Sequence, residues 1–128
     1  GASGRLIIVP PPAPIVVRVE GSRIAEAFVN IIENALTFSP PESPVRVTFE
    51  ILEERVVARV SDEGPGVSPE MLPIIFQPFT TNRPGGAGLG LAVVDRIVRD
   101  HGGEVWVENH ADRHGCTFTF SLPYGEGE

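Results

Sequence analysis

At 128 residues the chain is long enough for one domain with a real core and too short for two. Hydrophobic residues make up 41% of it, which excludes global disorder, and a formal net charge of −7 argues against nucleic-acid binding through a basic surface. No apolar run is long enough to span a bilayer and no secretory signal stands at the start, so a cytoplasmic fragment without membrane contact is expected.

All ten basic residues are Arg, with no Lys anywhere. An acidic chain that binds a polyanion needs local help from a metal ion, backbone N–H groups or a few Arg. A single cysteine, Cys116, excludes an intramolecular disulfide and a cysteine-based metal cluster. His101, His110 and His114 are not spaced as zinc ligands. The opening Gly1-Ala2-Ser3-Gly4 reads as a cloning remnant, residues 5–124 as the folded domain and residues 125–128 as a tail.

Leu6 to Val9 and Ile15 to Val19 are short apolar runs separated by prolines, and they are expected to pair as a hairpin-like edge. Ser22 to Ser39 predicts an amphipathic helix capped by Ser22 and ended by Pro40-Pro41. Its apolar stripe is Ile24, Ala27, Phe28, Ile31, Ile32, Ala35 and Leu36. Asn30 and Asn34 interrupt the pattern one turn apart, so they lie one above the other.

Val45 to Leu52 and Val56 to Val60 read as strands around a Glu53-Glu54-Arg55 turn. Val45, Val47, Phe49 and Ile51 alternate with Arg46, Thr48 and Glu50, which predicts one buried and one wetter face. The second strand runs into Asp62-Glu63-Gly64-Pro65-Gly66, a tight turn that exposes the aspartate. Ser68-Pro69-Glu70 looks like the start of a short helix.

Thr80 to Ala87 is polar and glycine-rich and is expected to be a mobile loop. A second helix opens at Gly88-Leu89-Gly90-Leu91 and continues to about Asp100, with Val93, Val94, Ile97 and Val98 as its apolar face and Gly102-Gly103 as its stop. Glu104 to Asn109 and Cys116 to Leu122 complete the sheet. The expected outcome is an α+β fold: a mixed sheet with two longer helices and one short one on a single face.

Three features suggest a nucleotide site. Gly86, Gly88 and Gly90 let backbone approach a ligand just before a helix N-terminus, where free N–H groups and the helix dipole suit phosphate. The loop is not a Walker A motif, which needs a lysine, nor the dinucleotide fingerprint, since Leu91 stands where its third glycine should fall. Asp62 can accept a hydrogen bond from the exocyclic amine of adenine and would repel the guanine carbonyl. One such charge-assisted bond is worth about 1.5–3 kcal/mol, roughly ten- to a hundredfold in affinity. Asn34 offers a neutral carbonyl oxygen suited to Mg²⁺ already bound to phosphates. Taken singly, each feature has a commoner structural explanation, such as a polar helix boundary or an ordinary turn.

Taken together, Asn30-x-x-x-Asn34-Ala35, Asp62-x-Gly64-x-Gly66, Phe76-x-Pro78-Phe79, Gly86-x-Gly88-x-Gly90-Leu91 and Gly115-Cys116 resemble the N, G1, F, G2 and G3 boxes of sensor histidine kinases, in that family's order and spacing. The chain resembles the catalytic ATP-binding domain of a two-component kinase, with the Bergerat fold shared with gyrase, mismatch-repair and chaperone ATPases. This implies a two-layer α/β sandwich whose mixed, mostly antiparallel sheet is covered on one face by about three helices.

The resemblance implies ATP and Mg²⁺ as cofactors. Asn34 resembles the Mg²⁺ ligand and Asn30 the second asparagine near the phosphates. Asp62 resembles the adenine reader, with Gly64 and Gly66 shaping its pocket. Gly86, Gly88 and Gly90 resemble the hinge and phosphate cradle, flanked by Leu89 and Leu91. Thr80 to Ala87 would be a short lid over ATP, anchored by Phe76 and Phe79, with Thr81 inside it. Thr37, Phe38 and Cys116 fall among the nucleotide-facing positions.

Thr37 stands where the family usually has a phosphate-touching lysine, and Arg83 in the lid is the candidate replacement. Cys116 stands where Thr or Ser is usual, and a thiol is the weaker hydrogen-bond partner. No histidine has the phosphoacceptor pattern, so the partners implied are a separate dimerisation domain carrying that histidine and a response regulator. Other readings of the same resemblance are a self-contained ATPase, an anti-sigma-type Ser/Thr kinase and a nucleotide-sensing module without transfer. The first of these usually has a glutamate base where Asn30 stands.

Overall fold

The computed structural model describes residues 6–9, 21–77 and 90–123. Its strands are β1 (Leu6–Ile8), β2 (Val45–Leu52), β3 (Arg55–Ser61), β4 (Glu104–Asn109) and β5 (Cys116–Pro123). Its α-helices are α1 (Gly21–Phe38) and α2 (Gly90–Asp100). The strands form one sheet in the order β1-β2-β3-β5-β4, and among the described residues no helix is long and apolar enough to cross a membrane.

β1 runs parallel to β2, with Leu6 opposite Val45, a pairing that the sequence did not indicate. Parallel neighbours need a crossover, and α1 lies between them in sequence. Ile15 to Val19 lies outside the described residues. The other neighbouring pairs are antiparallel. β5 is inserted between β3 and β4, which therefore run in the same direction and are linked by the long connection containing α2.

α1 begins at Gly21, so Ser22 falls inside its first turn rather than at the cap. The helix stops at Phe38, before Pro40-Pro41, and Ser43 closes the following turn by donating its N–H and its hydroxyl to the Pro40 carbonyl (3.0 and 2.8 Å). α2 ends in a Schellman motif: Gly103 N–H donates to the Val98 carbonyl and Gly102 N–H to that of Arg99, both at 2.9 Å, with Gly102 at φ +80°. The short helix expected from Ser68 is a pair of turns and one 3-10 turn, Leu72–Ile74. Pro69 and Pro73 lack the N–H groups that a longer helix would need.

Alternation along the strands divides the sheet into two faces. Val47, Val60, Phe118 and Val107 form one cross-strand row, and Phe49, Ala58, Phe120 and Val105 form the next. Both rows belong to the face beneath the helices, where Ala27, Ile31 and Ala35 of α1 and Val94, Ile97 and Val98 of α2 are buried with them. Phe28 packs edge-on against Phe120, with ring centroids 4.8 Å apart. Arg23 of α1 reaches Asp100 at the end of α2 (3.1 Å), an exposed pair worth little by itself.

The opposite face is drier than its Thr/Ser composition suggests. Thr119 and Ser121 are each only 3% exposed. Arg55 lies across Ser121 and donates to its hydroxyl from Nη2 (2.8 Å) and Nε (3.2 Å), while Trp106 stands opposite Thr119. The Arg55 side chain thus covers part of this face, which no described helix covers. Ile51, placed inward by its spacing, lies near the β2–β3 turn and is 37% exposed.

Phe120 is buried at the contact between α1 and the sheet. Phe120→Ala is expected to cost about 3–5 kcal/mol of unfolding free energy, read as a lower urea midpoint. A loss below about 1 kcal/mol would contradict this packing.

Candidate functional site

Where β3 ends, the inward row continues past the regular sheet. Asp62 follows Ser61 and donates its N–H to the Cys116 carbonyl (3.0 Å), and Cys116 is paired in turn with Asn109. Asp62, Cys116 and Asn109 thus stand side by side beneath the helix layer. Contrary to the exposure expected from its turn, Asp62 is buried, at 6% exposed, because the start of β5 and the end of α1 pack against it. Its Oδ1 accepts from the N–H groups of Gly64 (3.0 Å) and Cys116 (3.3 Å). Its Oδ2 meets the Cys116 thiol at 3.7 Å.

Burying a carboxylate is costly unless hydrogen bonds replace water. Backbone donors supply that replacement on Oδ1, whereas a thiol is a weak donor to Oδ2. Among the described residues no cation is paired with Asp62. Among the described residues Oδ2 is the less fully hydrogen-bonded of the two oxygens.

The backbone around Asp62 is tightly constrained. Gly115 has φ +107°, and a Cβ there would overlap the Asp62 carbonyl. At Gly66, φ is +79° and a Cβ would lie 2.9 Å from the Asn109 Oδ1. A Cβ on Gly64 would sit 3.0 Å from the Phe38 carbonyl oxygen, so the turn after Asp62 packs directly on the end of α1.

Asn30, Asn34 and Phe38 follow one another at one-turn intervals on α1, so they share a strip whose C-terminal end abuts that turn. All three are partly buried. Among the described residues the carboxamides of Asn30 and Asn34 have no hydrogen-bond partner. Ser39, next to Gly64, is buried with its hydroxyl unpaired among the described residues. Thr37 points off the strip and is exposed.

Gly90 opens α2 and is exposed, and a Cβ there would meet no described atom within 4 Å. The first N–H groups of α2 have no partner within the helix. Leu91 is half-buried against the core, and Phe76 packs edge-on against Phe118 (6.1 Å), so both carry the fold whatever else they do. Phe79, Thr81, Arg83, Gly86, Gly88 and Leu89 lie outside the described residues. No group of three His, Cys, Asp or Glu able to hold a metal occurs among the described residues.

Two polar residues at this site were not singled out by sequence reasoning. The Asn109 carboxamide donates from Nδ2 to the Val67 carbonyl (2.7 Å) and accepts at Oδ1 from the Val67 N–H (2.9 Å). His110 Nε2 lies 3.0 Å from the Asp62 carbonyl oxygen. A usable signal existed for the first: Asn109 has the same parity as Val105 and Val107, so it is a polar residue at an inward strand position.

Comparison with known proteins places this geometry. The family model described as "Histidine kinase-, DNA gyrase B-, and HSP90-like ATPase" matches residues 20–126, and the chain belongs to that family. Within it, the chain is similar to the sensor histidine kinase WalK of Bacillus subtilis, 34% identical over 124 residues that include 91% of this chain and 20% of WalK. The chain thus spans about a fifth of that relative. It superposes on the catalytic domain of histidine kinase ThkA with a TM-score of 0.84 and 29% identity, covering 94% of this chain and 78% of that one. It also superposes on full-length ShkA, solved with AMPPNP, with a TM-score of 0.77 and 32% identity, covering 94% of this chain and 25% of that one. The chain is an ATP-binding catalytic domain of the two-component sensor kinase type.

Gly115→Ala would combine a strained φ with overlap of the Asp62 carbonyl, and it is expected to cost at least about 2 kcal/mol. A differential scan should show the melting point several degrees lower. An unchanged melting point would mean that β5 does not approach Asp62 this closely.

Proposed function

We propose that this domain binds Mg²⁺-ATP with its adenine amine on Asp62 and presents the γ-phosphate to a histidine on a separate dimerisation domain. The observation that carries the reading is the Asp62 carboxylate, buried and, among the described residues, without a cation, with one oxygen held by backbone N–H groups and the other met by a thiol. A purine amine donates well to such an oxygen, and a guanine carbonyl in the same place would be repelled.

The rest of the nucleotide is assigned on the same reading. Gly64 and Gly66 keep the turn after Asp62 free of side chains where the base enters. Phe38, at the end of the α1 strip, lies against that turn. Asn34 supplies a carboxamide oxygen to the ion carried by the triphosphate, and Asn30 lies one turn further along the same strip. The free N–H groups at the start of α2, around Gly90 and Leu91, face the phosphates. By the resemblance to the family's motifs, Gly86, Gly88 and Leu89 are assigned to the phosphate cradle and Phe79, Thr81 and Arg83 to the lid. Mg²⁺, when bound with the nucleotide, would be held on the protein side by the Asn34 carboxamide and would supply charge neutralisation for the triphosphate.

Phosphoryl transfer to histidine depends on positioning and charge neutralisation more than on a protein base. Asn30 agrees with this, because a carboxamide cannot take a proton from water. Steady hydrolysis by an isolated ATPase is therefore the weaker reading. A cytoplasmic location and a response regulator as the next acceptor complete the proposal. That ShkA was solved with AMPPNP supports adenine nucleotide as the ligand class.

Calorimetric titration should give saturable binding of Mg²⁺-ATP and much weaker binding of GTP. Asp62→Ala should weaken ATP binding roughly ten- to a hundredfold. Equal affinity of wild type and variant would place the base elsewhere. Radiolabelled ATP should leave the isolated domain almost unlabelled and label the cognate histidine domain when the two are mixed. Absence of transfer to a verified cognate domain would refute the kinase assignment.

A further inference from the structure

The proposed chemistry leaves the end of β4 unused, yet its last residue and the one after it reach both ends of a single loop. Asn109 holds Val67 at the far end of the loop through both backbone polar groups, at 2.7 and 2.9 Å. His110 Nε2 lies 3.0 Å from the Asp62 carbonyl oxygen at the near end, and the His110 N–H donates to the Gly115 carbonyl (2.9 Å). Val67 is 5% exposed, so its N–H and C=O have little access to water in place of the carboxamide. The carboxamide also occupies the space left by the missing side chain of Gly66, whose Cβ would lie 2.9 Å from Oδ1. The loop between these ties contains Gly64, whose N–H orients the Asp62 carboxylate.

We infer that Asn109 is a positioning residue for base recognition. It touches no nucleotide. It fixes the height and direction of the Asp62–Val67 loop, and through Gly64 it fixes the angle at which the Asp62 carboxylate meets the base. Loss of the carboxamide frees Val67, the loop shifts to find other partners, and the purine amine loses its aligned acceptor. Discrimination between bases falls more than phosphate binding does. This inference rests on the adenine reading of Asp62.

The discriminating probe pair is ATP and inosine triphosphate, which differ at the purine 6-position: an amine in one, a carbonyl in the other. Affinities of the 128-residue chain for both, with Mg²⁺, are measured by competition against a fluorescent ATP analogue, alongside ligand-free thermal unfolding. Wild type should prefer ATP at least tenfold. Asn109→Ala should bring the ratio to within about threefold of unity, mainly through weaker ATP binding. Asn109→Asp keeps an acceptor for the Val67 N–H and loses the donor to the Val67 carbonyl, so its ratio should fall between.

A purely structural role would lower the melting point and scale both affinities together, leaving the ratio unchanged, and that result overturns the inference. If Asn109→Ala does not fold, Asn109→Asp decides by the same ratio. A wild-type chain that binds both nucleotides equally would instead overturn the reading of Asp62 itself.

Discussion

A carboxylate taken out of water at the end of a strand constrains everything around it. Asp62 is tolerable there only because the N–H groups of Gly64 and Cys116 replace solvent on one oxygen. Each of those donors has its own condition. Gly64 reaches Asp62 by turning back immediately after it, in a space already bounded by the Phe38 carbonyl. Cys116 reaches it because Gly115, at φ +107°, lets β5 begin against the Asp62 backbone. The glycines of this site follow from that single buried charge and from the backbone packed against it.

The sheet order makes the arrangement possible. β5 lies between β3 and β4, so the C-terminal end of β3, the start of β5 and the end of β4 meet at one edge of the sheet. Inward parity then places Asp62, Cys116 and Asn109 in a common row. α1 passes over this row with its carboxamide strip, and α2 starts with exposed backbone at Gly90. Under the reading proposed above, the floor that meets the base, the wall of carboxamides and the start of α2 come from three different parts of the chain.

The family defines the domain, and this chain departs from the family's habits in two places with physical consequences. It has no lysine at all, and Thr37 is exposed on α1 where a phosphate-facing cation is usual. Under the reading proposed above, backbone N–H groups, the ion and arginine must neutralise the triphosphate without it. At Cys116 a thiol approaches Asp62 at 3.7 Å. A thiol binds that oxygen more loosely than a hydroxyl would, which leaves the carboxylate more open to the ligand and less firmly oriented by its neighbour. Orientation then depends more heavily on the loop that Asn109 holds.

The sequence by itself determined the elements whose signal is local. Periodicity gave α1 and α2 to within a few residues, alternation gave β2 and β5, and glycine spacing with the two asparagines pointed to the family. It was silent where the answer depended on partners distant in sequence. The three residues of β1 are too short to state their own pairing, and only the fold shows them parallel to β2 across the α1 crossover. The dryness of Thr119 and Ser121 arises from Arg55 and Trp106 on neighbouring strands. Asn109 reads as an ordinary strand end until folding brings it against Val67, 42 residues away in the chain. Hydrogen bonds across that separation carry no sequence period, so only the tertiary structure could decide which polar groups hold the loop after Asp62 in place.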